Sequence, residues 1–343
     1  MYGRQRIKGF IISLIVSYDT IKDMKPPYEI TPTILQYIVS ISKHIGEVSA
    51  LHLHKPPAQL RKSNRIKTIQ SSLEIEGNTL SEEQITALLE NKRVVAPQKD
   101  ILEVQNAITV YDRLNELNPL SYKSLLTAHQ MLMTGLVPAA GNIRSKSVGI
   151  ITGSEVRHLA PPAEMVKPLL NDLFDYIKND PDPLLLKSCV FHYEFEFIHP
   201  FTDGNGRMGR LWQTLILKQE YPVFEFLPVE SIIRDRQKDY YRALSESDKQ
   251  GKSTAFIEFM LAVLNDALEK SLSYYNITLT GKDRIEQFKA IIKNELFSRQ
   301  VYLRNFKEIS TATASRDLKE AVDRGILVKS GDKRMTLYKF DGA

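Results

Sequence analysis

The sequence predicts an all-α protein, with one small β-hairpin inside its main helical part and another hairpin at its C-terminal end. Three observations carry this. Nearly every long segment repeats its apolar residues at three- and four-residue spacing, the period of an amphipathic helix. One stretch, NIRSKSVGIITGSEVRHLAPP, breaks that period with β-branched residues, two glycines and a closing Pro-Pro. After Thr280-Gly281 the order changes to three helical segments followed by strand, tight turn and strand.

Taken in order, ILQYIVSISKHIGEVSALHLH opens the helical run. SNRIKTIQSSLEIEG keeps the same spacing and ends at Gly77-Asn78, a helix-stop pair. Ser81 with Gln84 makes a capping box for SEEQITALLENK. KDILEVQNAITVYDRLNEL and SYKSLLTAHQMLMTGL, the latter opening at Ser121, lead to the hairpin segment. Helices resume with AEMVKPLLNDLFDYIKND and PLLLKSCVFHYEFEFI. NGRMGRLWQTLILKQE, DRQKDYYRALSES and TAFIEFMLAVLNDALEKSLSYY complete the domain. RIEQFKAIIKNELF, LRNFKEIS and ATASRDLKEAVDRG are the late helices, and ILVKSGDKRMTLYKF turns at Gly331-Asp332. Three helices plus a hairpin is the order of a winged helix-turn-helix.

A length of 343 residues suggests two or three domains at about 150 residues each. The expected boundaries are 1–99 for an N-terminal helical region, 100–278 for the main helical domain and 282–343 for the winged helix. The composition, 43% hydrophobic and 25% charged, is that of a soluble globular protein. A single cysteine, Cys189, excludes an internal disulfide framework and fits a reducing, cytoplasmic setting. Cys189 lies in LLLKSCVFHY and reads as a small buried hydrophobe. The basic and apolar start, GRQRIKGFIISLIVSY, is too short to span a bilayer and lacks a small-residue cleavage site. It is expected to be a local element or extension, with no membrane as partner. Of the net charge of +5, Lys282 to Lys339 supplies an excess of six, fourteen Lys and Arg against eight Asp and Glu.

One stretch asks for chemistry: HPFTDGNGRMGR, His199 to Arg210. Asp-Gly-Asn-Gly lets successive backbone N–H groups turn inward, because glycine tolerates positive φ. A glycine-rich turn feeding a helix N-terminus is a ready anion site, and phosphates are its natural guest. Arg207 and Arg210 lie three apart on the first helical turn, so both reach one guest. Asp203 is an oxygen ligand suited to Mg²⁺. His199 can take a proton near neutral pH. Together these parts make a nucleoside triphosphate site with a metal, a phosphate cradle and a base. The implied chemistry is attack of a hydroxyl on phosphorus. A plain capped connector would explain one of these residues and not seven.

The stretch resembles the signature of the Fic family, His-Pro-Phe-x-Asp-Gly-Asn-Gly-Arg-x-x-Arg, with every fixed position present. The resemblance implies the family's helical fold over roughly 100–275 and transfer of AMP from ATP to a hydroxyl side chain of a target protein. It implies that His199 is the catalytic base and that Asp203 holds Mg²⁺ on the α- and β-phosphates. The ATP-binding run is then Gly204, Asn205, Gly206, Arg207, Met208, Gly209 and Arg210. The backbone of Gly204, Asn205 and Gly206 would cradle the phosphates, Arg207 would neutralise the leaving pyrophosphate and Arg210 the γ-phosphate. Tyr240 and Tyr241 resemble a pair lining the family's adenine pocket, with aromatic core packing as the alternative, and Asp248 is a weaker candidate for the adenine edge. VGIITGSEVRHLAPP, near 148–160, matches the flap that lays a target segment alongside as an added strand.

Ser72, Glu76 and Gly77 read, from composition alone, as an ordinary amphipathic helix end. They are similar to the family's inhibitory pattern, Ser/Thr-x-x-x-Glu-Gly/Asn, in a helix at about 63–77. That resemblance implies that Glu76 pairs with Arg210 and occupies the γ-phosphate space; Glu74 does not fit the spacing. Removal of AMP from a modified protein is an alternative on the same site. Another is a DNA-binding regulator that only senses nucleotide, which would need neither His199 nor Asp203. Further expected partners are the protein itself, as a substrate or in a homodimer, and DNA. For DNA, Ser315, Arg316 and Lys319 would read the duplex, with Lys333 and Arg334 on phosphates. His52 and His54 lack further metal ligands nearby and read as surface or packing residues; His192 reads as helix packing.

Overall fold

The protein is described from a computed structural model, which describes residues 25–50, 58–146, 148–152, 155–278, 280–292, 295–306, 309–332 and 336–341. The N-terminal apolar run, His52, His54, Lys333 and Arg334 lie outside the described residues. Among the described residues the regular elements are helices and two antiparallel two-stranded ribbons. It divides into two compact units, each assembled from separate stretches of sequence. Each unit draws together helices distant in sequence.

The first unit takes Gln105–Ile216 and Lys238–Ile257, with the described residues before 31. It holds the end of α4 (Gln98–Asp112), then α5 (Tyr122–Met133), β1 (Gly149–Thr152), β2 (Glu155–Leu159), α6 (Ala163–Asn179), α7 (Leu184–Ile198), α8 (Asn205–Lys218) and α10 (Gln237–Gln250). Its axis is α7. This helix carries apolar residues all round its circumference, as a helix enclosed by others does, and buries Leu185, Leu186, Val190, Phe191, Phe195 and Ile198. Phe191 and Trp212 each meet Phe174 edge-on, at 5.7 and 6.4 Å between ring centroids. Trp212 donates its indole N–H to the Pro119 carbonyl at 3.0 Å, so its one polar atom is satisfied inside the core. Cys189 is fully buried, as expected, and burial pushes its thiol up to about 12. In the ribbon, Gly149 faces Leu159 and Thr152 faces Glu155, and the register slips between Ile150 and Ile151.

The second unit holds α1 (Pro32–Ala50), α2 (Ala58–Glu74), α3 (Glu82–Leu89), α9 (Val229–Asp235), most of α11 (Thr254–Thr278) and the C-terminal elements. The Ser81–Gln84 capping box of α3 is formed in both directions. Helix α2 stops at Glu74, three residues before the predicted Gly77. Ile75 to Gly77 form a terminal turn closed by Glu76 N–H to Leu73 and Gly77 N–H to Glu74, at 3.0 and 2.9 Å. Gly77 takes φ +92°, which makes glycine the natural residue there. Asn78, buried, donates to the Asp100 carbonyl and to Glu103 at 3.1 and 2.8 Å, and so fixes the exit of the turn.

At the C-terminal end come α12 (Gly281–Ile292), α13 (Arg299–Asn305), α14 (Thr311–Asp323), β3 (Leu327–Ser330) and β4 (Leu337–Phe340). Their common core includes Phe288, Phe297, Tyr302, Phe306, Leu318 and Phe340. Inside it Arg284 donates two hydrogen bonds to Asp317, at 2.7 and 3.0 Å, and the Tyr302 hydroxyl adds a third at 3.2 Å. Arg284 and Asp317 are 5% and 3% exposed, so neither charge is compensated by water. Asp317→Ala should therefore destabilise the protein by about 3–5 kcal/mol, the usual cost of stranding one member of a buried pair. Guanidinium denaturation measures this, and a loss under about 1 kcal/mol would contradict a structural role for the pair.

Candidate active site

The site is built where α7 ends and α8 begins. The last residue of the turn out of α7 is His199, with φ +50° and ψ +60°. A non-glycine residue in this left-handed region costs roughly 1–2 kcal/mol and persists only when its surroundings impose it. The imposing group is Arg144, 3% exposed. Its guanidinium donates to the carbonyls of Ile198, His199, Pro161 and Lys146 at 3.1, 2.7, 2.6 and 3.0 Å, while its backbone N–H donates to Pro200 at 2.9 Å. The closing carbonyls of a helix have no partner within it, and the negative end of the helix dipole favours a cation there. One side chain thus satisfies the end of α7 and fixes the base-bearing residue, while its Pro161 contact ties in the chain that leaves β2.

Downstream of His199, the loop is locked from inside. The Asn205 side chain accepts from the Phe201 N–H and donates to the Phe201 carbonyl, both at 2.9 Å. Gly204 has φ +84°, and a Cβ there would lie 2.8 Å from Met133 Sδ, so both backbone angle and space require glycine. Its carbonyl accepts the first helical bond of α8, from the Met208 N–H at 3.0 Å. The first turn of α8 therefore carries backbone N–H groups that the helix itself does not use. Asp203 Oδ1 accepts from the Gly204 N–H at 2.6 Å and from Arg207 at 3.1 Å, with the Asp203 side chain about half exposed. Arg207 and Arg210 are 5% and 2% exposed.

Two buried histidines brace this arrangement. His129 on α5 accepts from the Gly141 N–H at Nδ1, 2.9 Å, so its proton sits on Nε2, which donates to the Asp203 carbonyl at 3.0 Å. Its ring stacks on Phe201 at 3.6 Å and 3°. Burial holds its pKa down at about 4. His192 on α7 lies between Gln213 and the Tyr240 hydroxyl, at 2.7 and 3.1 Å. Burial, helped by the Arg210 charge, lowers it to about 3. A Cβ on Gly209 would lie 2.9 Å from the His192 ring, so glycine there lets α8 close on α7.

The loop thus brings together His199, Asp203, Gly204, Asn205, Gly206, Arg207 and Arg210. Met208 is fully buried in the core, and Gly209 faces His192. Tyr240 is 2% exposed and is bonded through its hydroxyl to His192, whereas Tyr241 is 37% exposed and meets Tyr240 edge-on at 5.3 Å. Asp248 accepts from the Tyr193 hydroxyl at 2.9 Å. Burial and that carboxylate push neighbouring Glu194 up to about 7. Ser72 is buried on α2 and Glu76 is exposed in the turn beyond it. His129, Arg144, Glu194 and the clamp made by the Asn205 side chain escape the sequence. His129 is one polar residue in an apolar helix, and Arg144 is one of many surface-type basic residues. Only their burial distinguishes them.

Among the described residues no group of three or more His, Cys, Asp or Glu is placed to hold a metal. Asp203 offers one carboxylate, which fits Mg²⁺ held mainly by phosphate oxygens and water. No helix among the described residues is long and apolar enough to cross a membrane.

A glycine turn that feeds the N-terminus of α8, with His199 just before it and two buried arginines just after, is set in a unit built of helices. Residues 119–217 match the Fic/DOC family. The chain is 40% identical to a Fic family protein from Desulfovibrio desulfuricans G20 of known crystal structure. That match covers 93% of this chain and 99% of that one, with a TM-score of 0.71. The chain belongs to the Fic family. It is also 29% identical to protein adenylyltransferase Fic of Nematostella vectensis, over 64% of this chain and 51% of that protein. Its identity to protein adenylyltransferase fic-1 of Caenorhabditis elegans is 32%, over 63% of this chain and 42% of that protein. The chain spans about half the length of these curated relatives.

Two outcomes follow from the bracing of the loop. Arg144→Met should lower the free energy of unfolding by about 2–4 kcal/mol, because four backbone carbonyls lose a charged donor at once. Urea denaturation tests this, and an unchanged midpoint would sink the role given to Arg144. His129, depressed from the usual 6.5 to about 4, stays neutral in the fold while the unfolded chain takes up a proton. Its contribution is complete above pH 6.5 and is lost as pH falls towards 4. Compared with wild type, His129→Gln should flatten the stability profile between pH 6 and 4.5 by about 1.4 kcal/mol per pH unit. Parallel profiles for the two proteins would mean that His129 titrates normally.

Proposed function

We propose that this chain is a protein adenylyltransferase, moving AMP from ATP to a hydroxyl side chain of a target protein. The observation that carries the proposal is the single clamped loop. It sets His199 at the end of α7, beside the first turn of α8 with Asp203, Arg207 and Arg210. In this reading the His199 imidazole takes the proton of the target hydroxyl. The hydroxyl oxygen forms a bond to the α-phosphorus while the bond to pyrophosphate breaks. The backbone of Gly204, Asn205 and Gly206 cradles the phosphates, the Gly204 N–H exchanging its Asp203 carboxylate for a phosphate oxygen, and Arg207 and Arg210 neutralise the departing and γ-phosphates. Asp203 would hold Mg²⁺, which when bound would supply charge neutralisation on the phosphates. Tyr241, with its exposed ring, suits the adenine better than Tyr240, whose hydroxyl is spent on His192. The curated relatives named protein adenylyltransferase support this reading.

The target segment docks on the ribbon near 148–160, which has no further strand paired to it among the described residues. The chain modifies itself as well, forms a homodimer and works in the cytoplasm. Glu76 restrains the enzyme by pairing with Arg210, with Ser72 and Gly77 completing the inhibitory pattern. The C-terminal 282–343 unit is a winged helix that engages DNA through α14. Arg316 and Lys319 are exposed there, while Ser315 is tied to Arg299 at 2.8 Å.

Incubation with α-labelled and γ-labelled ATP, followed by protein mass spectrometry, tests the activity. Label from the α position alone is expected. His199→Ala should lose transfer by about 10²–10⁴-fold while still binding ATP, since the base acts on the hydroxyl. Glu76→Gly should raise transfer by roughly thirty- to more than a hundredfold, the equivalent of about 2–3 kcal/mol. Glu74→Gly is the control, because Glu74 pairs instead with Arg234 at 3.1 Å. Full transfer by His199→Ala would overturn the assignment. Equal behaviour of the two glutamate variants would remove Glu76 as the restraint.

A further inference from the structure

The second unit contains a cleft of about 240 Å³ formed by α2, α9 and α11. It involves none of the loop residues 199–210. Its charged lining residues are two lysines, Lys67 from α2 and Lys270 from α11, and no acidic residue lines it. Neither lysine makes an ion pair or hydrogen bond among the described residues, and the same holds for the lining hydroxyls of Ser63 and Ser271. Elsewhere basic side chains are commonly matched. Lys62, the residue before Ser63 on α2, reaches Glu90 at 2.9 Å, and Arg234 on α9 reaches Glu74. Two unmatched cations on one concave surface repel each other and focus a positive potential into it. Of the remaining lining, Leu60, Pro228, Ile232 and Ala267 form an apolar wall, while Asn64 and Ser231 give their side chains to the carbonyls of Phe226 and Pro228.

The geometry points to a second ligand site here, for a small phosphate monoester. Lysine is a compact point charge suited to phosphate. Two ammonium groups with two unspent hydroxyls offer donors for a dianion carrying several acceptor oxygens. The apolar wall receives the body of the molecule, and the volume, below the usual 300–1,000 Å³ of drug-sized pockets, limits that body to about one ring. The site lies on the helix that ends at Ser72 and Glu74, and it is independent of the reaction assigned to His199.

Phenyl phosphate is the probe, titrated calorimetrically into the full chain. One equivalent should bind, with affinity falling as salt rises. Lys67→Gln and Lys270→Gln should each raise Kd at least tenfold, and the double variant should show no binding at this site. Lys270 is exposed and Lys67 half-buried, and neither makes an ion pair or hydrogen bond among the described residues, so the variants should keep the fold, which their melting temperatures verify. Phenol should bind at least tenfold more weakly than phenyl phosphate. Absence of binding to the wild type would overturn the inference. So would unchanged affinity in the double variant, which would place the probe on the anion loop of α8, or phenol binding as tightly as the ester.

Discussion

The guanidinium of Arg144 at the carboxyl end of α7 is the contact on which the site depends. It gathers four carbonyls that belong to three different parts of the chain: its own loop, the exit from the ribbon and the last turn of a buried helix. A neutral donor could not offset the dipole of that helix end, and a lysine lacks the planar fork needed to reach several acceptors at once. Because these bonds are made, His199 is held in a backbone conformation that it would not adopt in a free chain. The residue with the proposed chemical role is also the residue bearing backbone strain, and the strain is supported from Arg144.

The rest of the loop is rigid for related reasons. Asn205 closes it by binding both polar groups of Phe201, and His129 holds it from beneath through the Asp203 carbonyl and a stacked ring. Burial keeps His129 and His192 neutral, so each can accept on one nitrogen and donate on the other. Their neutrality also avoids adding positive charge beside Arg207 and Arg210. The anion loop therefore keeps its cationic character in two arginines and its shape in neutral hydrogen bonds. A phosphate entering such a site meets donors already oriented, with little reorganisation left to make.

The segment from α2 to α3 shows a different logic. Its helix ends early, in a tight turn that leaves Glu76 exposed and Asn78 buried as an anchor. Ser81 and Gln84 then start the next helix. The turn is thus fixed at both ends by hydrogen bonds. On the same helix, Lys67 faces a cleft unrelated to that carboxylate.

The sequence by itself determined the helices, the two hairpins and the loop of the site. Amphipathic spacing, a capping box and glycines at positive φ are local signals, written within a few residues of where they act. The run HPFTDGNGRMGR specified a glycine turn opening a helix for the same reason, since its glycines, acid and arginines are neighbours in the chain. The end of α2 at Glu74 rather than Gly77 lay at the limit of that legibility, because i to i−3 bonds continued the turn without continuing the helix. What only the tertiary structure decided were the roles that depend on burial. Arg144 is an ordinary basic residue in NIRSKS until the fold brings it to the carbonyl of His199, 55 positions further along the chain. His129 and Tyr240 became structural only when water was excluded from them. Tyr240 and Tyr241 are adjacent and chemically equal, and packing alone separated the buried one from the exposed one. The physical reason is common to all of these cases. A helix period tells which residues share a face, but desolvation, which turns a charge or an imidazole into a bracing group, depends on what distant chain comes to cover it.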